Sequence, residues 1–275
     1  MFDKFARSWG LAKASAAVLR SDKELMLFPV VSTLATLIVL ATFAIPTFAL
    51  RLFADGLDAF GVVWAFAFYF CQYSVIIFFN CALVGAAMIR LEGGDPTLSD
   101  GLAIARSRIR PILGYAAIAA TVGVLLQALK HRDNFLVRLL GSGLGIAWTL
   151  ATFLVVPVLV SQEVGPVDAL KKSVALLKRT WGENAIGTVG LGLMFGLISF
   201  VVIVIGVLLA LAAAQVSIAL AVAVVGLFVV GVLLLGVYQA ALSGVYSAAL
   251  YRYAVDGSAP PAFQGAQLER AFAAR

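Results

Sequence analysis

The side chains that do chemistry are scarce in this chain. Its single histidine, His131, sits in Lys130-His131-Arg132-Asp133, with no second histidine or cysteine nearby to complete a zinc site. The two cysteines, Cys71 and Cys81, share one apolar run. On a helix they stand roughly 15 Å apart along the axis, too far to bond to each other, and read as small buried hydrophobes. Glu92, Asp95 and Asp100 place three carboxylates in one loop, and Glu163 and Asp168 fall in an equivalent later loop. Such residues could hold a cation, meet a basic partner, or act on lipid headgroups. More often they cap helices and form turns, and Asp95-Pro96 reads as a turn. Gly141-Ser142-Gly143-Leu144-Gly145 is glycine-rich but follows no strand, which argues against a phosphate loop, and no nucleophile elbow or helical metal motif occurs. The expectation is no enzyme, no cofactor and no metal.

The elements that would carry these groups are dictated by composition. Of 275 residues, 63% are hydrophobic and 12% charged, with a mean hydropathy of +1.04. A soluble domain is near half apolar and a quarter charged, so an integral membrane protein is expected. The net charge of +6 would suggest nucleic acid in a soluble protein. Here its distribution along the chain explains it, and no nucleic acid is expected.

A crossing of roughly 30 Å of hydrocarbon needs about 20 apolar residues. The uncharged runs 25–50, 60–89, 111–129 and 139–162 each supply one. The run 184–251 supplies two, broken near Ala214-Gln215-Val216-Ser217, where its polar residues cluster. The runs are apolar on every face, so helices rather than barrel strands are predicted. Charged sequence ahead of the first run, and its length, argue against a cleavable signal.

Orientation follows from lysine and arginine at the span ends. One side holds Lys4, Arg7, Lys13, Arg20 and Lys23, then Arg90, Arg106, Arg108 and Arg110, then Lys171, Lys172, Lys178 and Arg179, and finally Arg252, Arg270 and Arg275. The other holds Arg51, Lys130, Arg132 and Arg138. Both termini are thereby expected in the cytoplasm. A seven-span reading, splitting the last run at Gly231 or Gly236, would put the basic tail outside and ranks second.

The basic segments have apolar stripes. Leu170, Val174, Leu177 and Trp181 recur at helical spacing from an N-cap at Asp168, with Lys171, Lys172, Lys178 and Arg179 on the other faces. Phe2, Phe5, Trp9, Ala12, Ala16 and Leu19 do the same around Lys4 and Arg7, and Leu102, Ala105 and Ile109 do so in a weaker stretch over 100–110 with Arg106 and Arg110. Each predicts an amphipathic cytoplasmic helix, its cations on anionic headgroups or, alternatively, its stripe on the helix ends. Arg7-Ser8-Trp9-Gly10 echoes Arg179-Thr180-Trp181-Gly182. Returning spans exit through Glu92-Gly93-Gly94, Glu163-Val164-Gly165 and Asp256-Gly257, which glycine-closed helix ends also explain. The plan predicted is an interfacial helix plus a hairpin, three times: 1–90, 91–162 and 163–255, then a tail over 256–275.

None of the spans carries a charge away from its ends. Proton and ion couplers generally do. Gln72, Asn80, Gln127 and Gln239 are neutral polar groups that either bond between helices or line a pore. Pro46 and Pro157 would kink spans one and four. Gly141 with Gly145, Gly192 with Gly196, and Gly236 with Gly244 have the spacing of close helix packing, within the chain or in a homo-oligomer. Span six, about 55 Å if continuous, must tilt, bend near its glycines or project.

Trp9 followed by Leu19-Arg20-Ser21-Asp22-Lys23-Glu24-Leu25 and Phe28-Pro29, and Ala248-Ala249-Leu250-Tyr251-Arg252-Tyr253-Ala254 followed by Asp256-Gly257, Pro260 and Phe263, resemble an uncharacterised family of six-span bacterial membrane proteins defined only as a domain of unknown function. The resemblance implies the bacterial inner membrane and no catalytic residue or cofactor. Function then divides between a non-enzymatic scaffold or accessory subunit meeting membrane lipids and other membrane proteins, and a homo-oligomeric channel or permease for ions, small neutral solutes or lipids. A headgroup enzyme using the loop carboxylates ranks third.

Overall fold

Apolar runs of this length leave the backbone only itself to hydrogen-bond with, and the chain answers with helix. The computed structural model describes residues 2–49, 59–130, 135–181, 186–258 and 260–266, among which there is no strand. In chain order the helices are α1 (Phe2–Ser21), α2 (Leu27–Ala49), α3 (Ala59–Leu91), α4 (Leu98–Ser107), α5 (Ile109–Lys130), α6 (Phe135–Thr152), α7 (Val155–Ser161), α8 (Pro166–Trp181), α9 (Ile186–Ala214) and α10 (Ile218–Asp256). Two 3-10 turns, Lys23–Met26 and Pro261–Ala266, complete them. His131 lies outside the described residues.

Six stretches are long and apolar enough to cross a bilayer: Lys23–Ala49, Ala59–Leu91, Ile109–Gln127, Gly143–Ser161, Phe195–Ala214 and Ile218–Asp256. The chain is a multi-pass helical membrane protein. The long uncharged run divides where its polar residues cluster. α9 stops at Ala214, and the Ser217 hydroxyl caps α10 by accepting the Leu220 N–H at 3.1 Å.

The core lies at one end of the bundle, here termed basal, and α3 is its axis, touching α2, α4, α5, α7 and α10. Residues 81–87 of α3 and 244–251 of α10 are buried there, together with Leu11 and Leu19 of α1, Phe28, Ala105, Ile112, Leu159 and Ala169. The distal ends carry Leu, Ile, Val and Phe on their outer surface, as at Ile38, Phe48, Phe200, Leu208 and Leu227. At the distal end α2 and α3 are pinned by the Trp64 indole N–H, which donates to Thr47 Oγ1 at 3.0 Å beside Phe43 and Phe60.

Proline acts unequally in the two spans where a kink was expected. α2 continues through Pro46, whereas span four separates into α6 and α7 four and three residues ahead of Pro157. α10 is unbroken across Gly226, Gly231 and Gly236, about 58 Å of helix. It does not bend into separate pieces at its glycines, and its extra length ends inside the basal core.

The glycine expectations separate likewise. A Cβ at Gly244 would fall 2.3 Å from Leu83 Cδ2, and one at Gly101 2.4 Å from Phe28 Cζ and 2.7 Å from the Ala82 carbonyl oxygen, so both are true close approaches. At Gly145, Gly196 and Gly236 a Cβ would meet nothing within 4 Å. These three are not packing contacts within the chain, because each faces outward from its helix. Gly141 and Gly192 lie outside the residues whose side-chain surroundings are described.

Candidate functional site: the basal platform

α1 and the last 3-10 turn meet in the basal core. Asp22 ends α1 and caps the turn after it, its Oδ1 accepting the Glu24 N–H at 3.1 Å. Glu24 in turn accepts the Leu98 N–H at 2.8 Å. At the same helix terminus Thr97 and Asp100 form a capping box, Thr97 Oγ1 accepting from the Asp100 N–H and Asp100 Oδ2 from the Thr97 N–H. Two carboxylates therefore face the positive end of α4. The Thr97 backbone and hydroxyl donors hold the Asp100 carboxyl below the usual carboxylate range. Phe28, wholly buried, fills the gap left by Gly101, and Phe263 of the last turn is buried as well, in a turn that packs on α1.

The acidic exits are tied down by arginines. Arg252 on α10 donates to Glu92 after α3 and, at 3.2 Å, to Asp256. Arg108, between α4 and α5, pairs with Glu163 at 3.4 Å, and Arg90 pairs with Asp95 at 3.2 Å. Lys171 pairs with Asp168 at 3.6 Å. Gly93 (φ +90°) closes α3 with N–H bonds from Gly93 to Arg90 and from Gly94 to Ile89, and Gly257 (φ +72°) closes α10 with one to Tyr253. Both are left-handed glycine closures. The third exit differs: α7 ends at Ser161, and Gly165 has no left-handed φ.

Two of the expected basal helices need correction. α8 starts at Pro166 rather than after an Asp168 cap, since proline's missing N–H costs nothing at a first helical position. Asp168 sits within the first turn. Its buried line is Ala169 and Ser173, with Leu170, Leu176 and Leu177 partly covered, a face rotated from the one expected. The stretch predicted over 100–110 is two helices, α4 ending at Ser107 and α5 beginning at Ile109, so Ile109 is an exposed residue of span three. In α1, Ala12 and Leu19 of the expected stripe are buried, and the helix packs on α9, α10 and the final turn.

Among the expected headgroup cations, Arg106, Arg110 and Lys178 are exposed and form no ion pair among the described residues. Lys171 is paired as above, and Lys172 Nζ donates to Gln162 Oε1 at 2.6 Å. The side chains of Lys4, Arg7 and Arg179 lie outside the described residues. The loop carboxylates all have structural partners, and no group of three or more metal ligands occurs among the described residues.

The neutral polar set is spread over two depths. Gly123 abuts the Tyr73 ring and hydroxyl, and Gly244 abuts Leu83. These contacts bring Gln127 of α5 near the depth of Gln72 and Gln239 of α10 near that of Asn80. The two depths are about 12 Å apart along α3. Gln72 Oε1 and Ser74 Oγ are buried in α3 without a hydrogen-bond partner among the described residues, and Asn80 and Gln239 are half-buried. The arginine anchors and the Ser173 contacts described below were not visible as sites in the sequence. The only signal for them was that arginine, acid and glycine recur together at the basal exits.

A family model described as a family of unknown function (DUF6159) matches residues 59–261, from the start of α3 to the last 3-10 turn. No curated protein and no solved structure matches the chain. With most of its length matched, the chain belongs to that family of unknown function (DUF6159).

Proposed function

We propose that this protein is a non-enzymatic scaffold or accessory subunit of a bacterial inner-membrane assembly, presenting the basal platform to partners. The observation that carries this reading is where order has been built. Caps, ion pairs and close glycine contacts tie α3, α4, α8 and α10 into the basal end, against which α1 packs, while exposed cations such as Lys13, Arg20, Lys23, Arg106, Arg110 and Lys178 form no ion pair among the described residues. Fixed cations on a rigid surface suit anionic headgroups and acidic partner segments. The bias of basic residues puts this end, and both termini, in the cytoplasm, and the three basal helices α1, α4 and α8 then begin three successive units of basal helix and hairpin. Reporter fusions at the termini test the sidedness. Affinity purification from mild detergent tests the role: a stoichiometric partner lost on Lys13, Arg20 and Lys23→Gln supports it, and recovery of the bare chain counts against it.

A second reading, a homo-oligomeric channel or permease for ions, small neutral solutes or lipids, is favoured by one observation. Gln72 Oε1 is buried within a span with no hydrogen-bond partner among the described residues, and a water column would satisfy it. Liposome flux tests it, and equal leak for wild type and an Asn80→Leu, Gln239→Leu variant removes it.

A further inference from the structure

The fourth span is made of two helices, and the join between them is held by a residue outside the span. Pro157 has no N–H to give and its ring crowds the Phe153 carbonyl one turn back, so α6 ends at Thr152 and α7 starts at Val155. A break of this kind strands carbonyls on one side and amides on the other, and each unmet group is costly where water is absent. At this join the Ser173 hydroxyl of α8, wholly buried, donates to the Ala151 carbonyl at 2.7 Å and accepts the Leu154 N–H at 3.1 Å. One hydroxyl thereby serves both sides of the break. Its neighbour Lys172 grips the far end of α7, donating to Gln162 Oε1 at 2.6 Å, while Gln162 Nε2 donates to Tyr251 Oη at 2.9 Å.

We propose that α8 is a strap across span four, with Ser173 latching the join and Lys172 latching the end of α7, and that anionic lipid headgroups release the outer latch. Lys172 is exposed and spends its charge on a neutral amide. A phosphate oxygen is the stronger acceptor for an ammonium, so a headgroup that takes Lys172 from Gln162 leaves Ser173 as the one remaining latch of the strap. The strap stands on the contacts just described. The headgroup trigger rests on the reading that the basal end faces an anionic membrane surface.

The test is hydrogen exchange on the full chain in phosphatidylcholine nanodiscs, with and without phosphatidylglycerol. Ser173→Ala speeds exchange at Leu154–Val156 about tenfold while α8 amides stay protected. Ser173→Thr keeps exchange slow. Pro157→Ala, which restores the missing donor, abolishes the effect of Ser173→Ala. Phosphatidylglycerol speeds the same amides in the wild type, and Lys172→Gln is already fast in neutral discs with no further response. Should Ser173→Ala fail to assemble, the surface change Lys172→Gln carries the same readout. Equal exchange in wild type and Ser173→Ala, or in wild type and Lys172→Gln, overturns the strap. A phosphatidylglycerol response absent from the wild type, or retained by Lys172→Gln, overturns the trigger.

Discussion

The guanidinium of Arg252, one turn from the end of α10, donates to the carboxylate of Glu92, 160 positions earlier in the chain, where α3 ends. It also holds Asp256 on its own helix. One side chain thus fixes the ends of the two longest spans to each other. Both partners are partly exposed, so screening limits the pair to about 1 kcal/mol. Arg252→Gln is expected to lower the melting midpoint in detergent by a few degrees. A double-mutant cycle with Glu92→Gln should give a coupling that shrinks as salt is raised.

Gly244 and Gly236 lie on the same helix and have opposite surroundings. Gly244→Ala forces its Cβ onto the wholly buried Leu83 and should cost about 1–3 kcal/mol. Gly236→Ala meets open space and should be neutral or slightly stabilising. Thermal scanning of the two variants side by side decides this. Equal losses would mean that Gly236 packs against something outside the chain.

Asp100 gives the fold a pH dependence with a definite sign. The Thr97 donors favour its ionised form in the folded protein. Its contribution is therefore present above the unfolded carboxyl value, about 3.9, and is lost as pH falls through the lowered folded value. Melting curves between pH 7 and 3 should show wild type losing stability more steeply at the acid end than Asp100→Asn, in which this group no longer titrates.

Cys81 is wholly buried against the basal core and Cys71 only partly so. A membrane-permeant maleimide should label Cys71 faster than Cys81 in native membranes, with Cys81 catching up only after denaturation. Labelling of Cys81 at the native rate would show that α3 leaves its partners.

How much of this was legible depended on the range of the forces involved. Six spans and the break at Gln215–Ser217 follow from the local density of apolar side chains, a property of adjacent residues. The role of Pro157 was legible for the same reason, since its clash is with its own preceding turn. Helix faces were less so. The stripe on α8 was read from its largest apolar residues, yet the face turned inward is set by Ser173, a small hydroxyl needed by a break elsewhere. The glycines were the least legible. Gly236 and Gly244 share one spacing pattern, and only the arrival of Leu83 from another span tells them apart. The carboxylates at the helix exits were seen as a group, but the arginines that hold Glu92 and Glu163 come from distant parts of the chain and leave no local pattern.

The uninterrupted course of α10 has a mechanical consequence. A rod seated in the basal core near Gly244 and flanked beyond it chiefly by α9, where Phe228 meets Gly206, is a lever, with an arm of about 39 Å to Ile218. A rotation of about 5° at the held end sweeps the tip by roughly 3 Å, so thinning or thickening of the bilayer at the far leaflet is delivered as torque on the contact between Gly244 and Leu83.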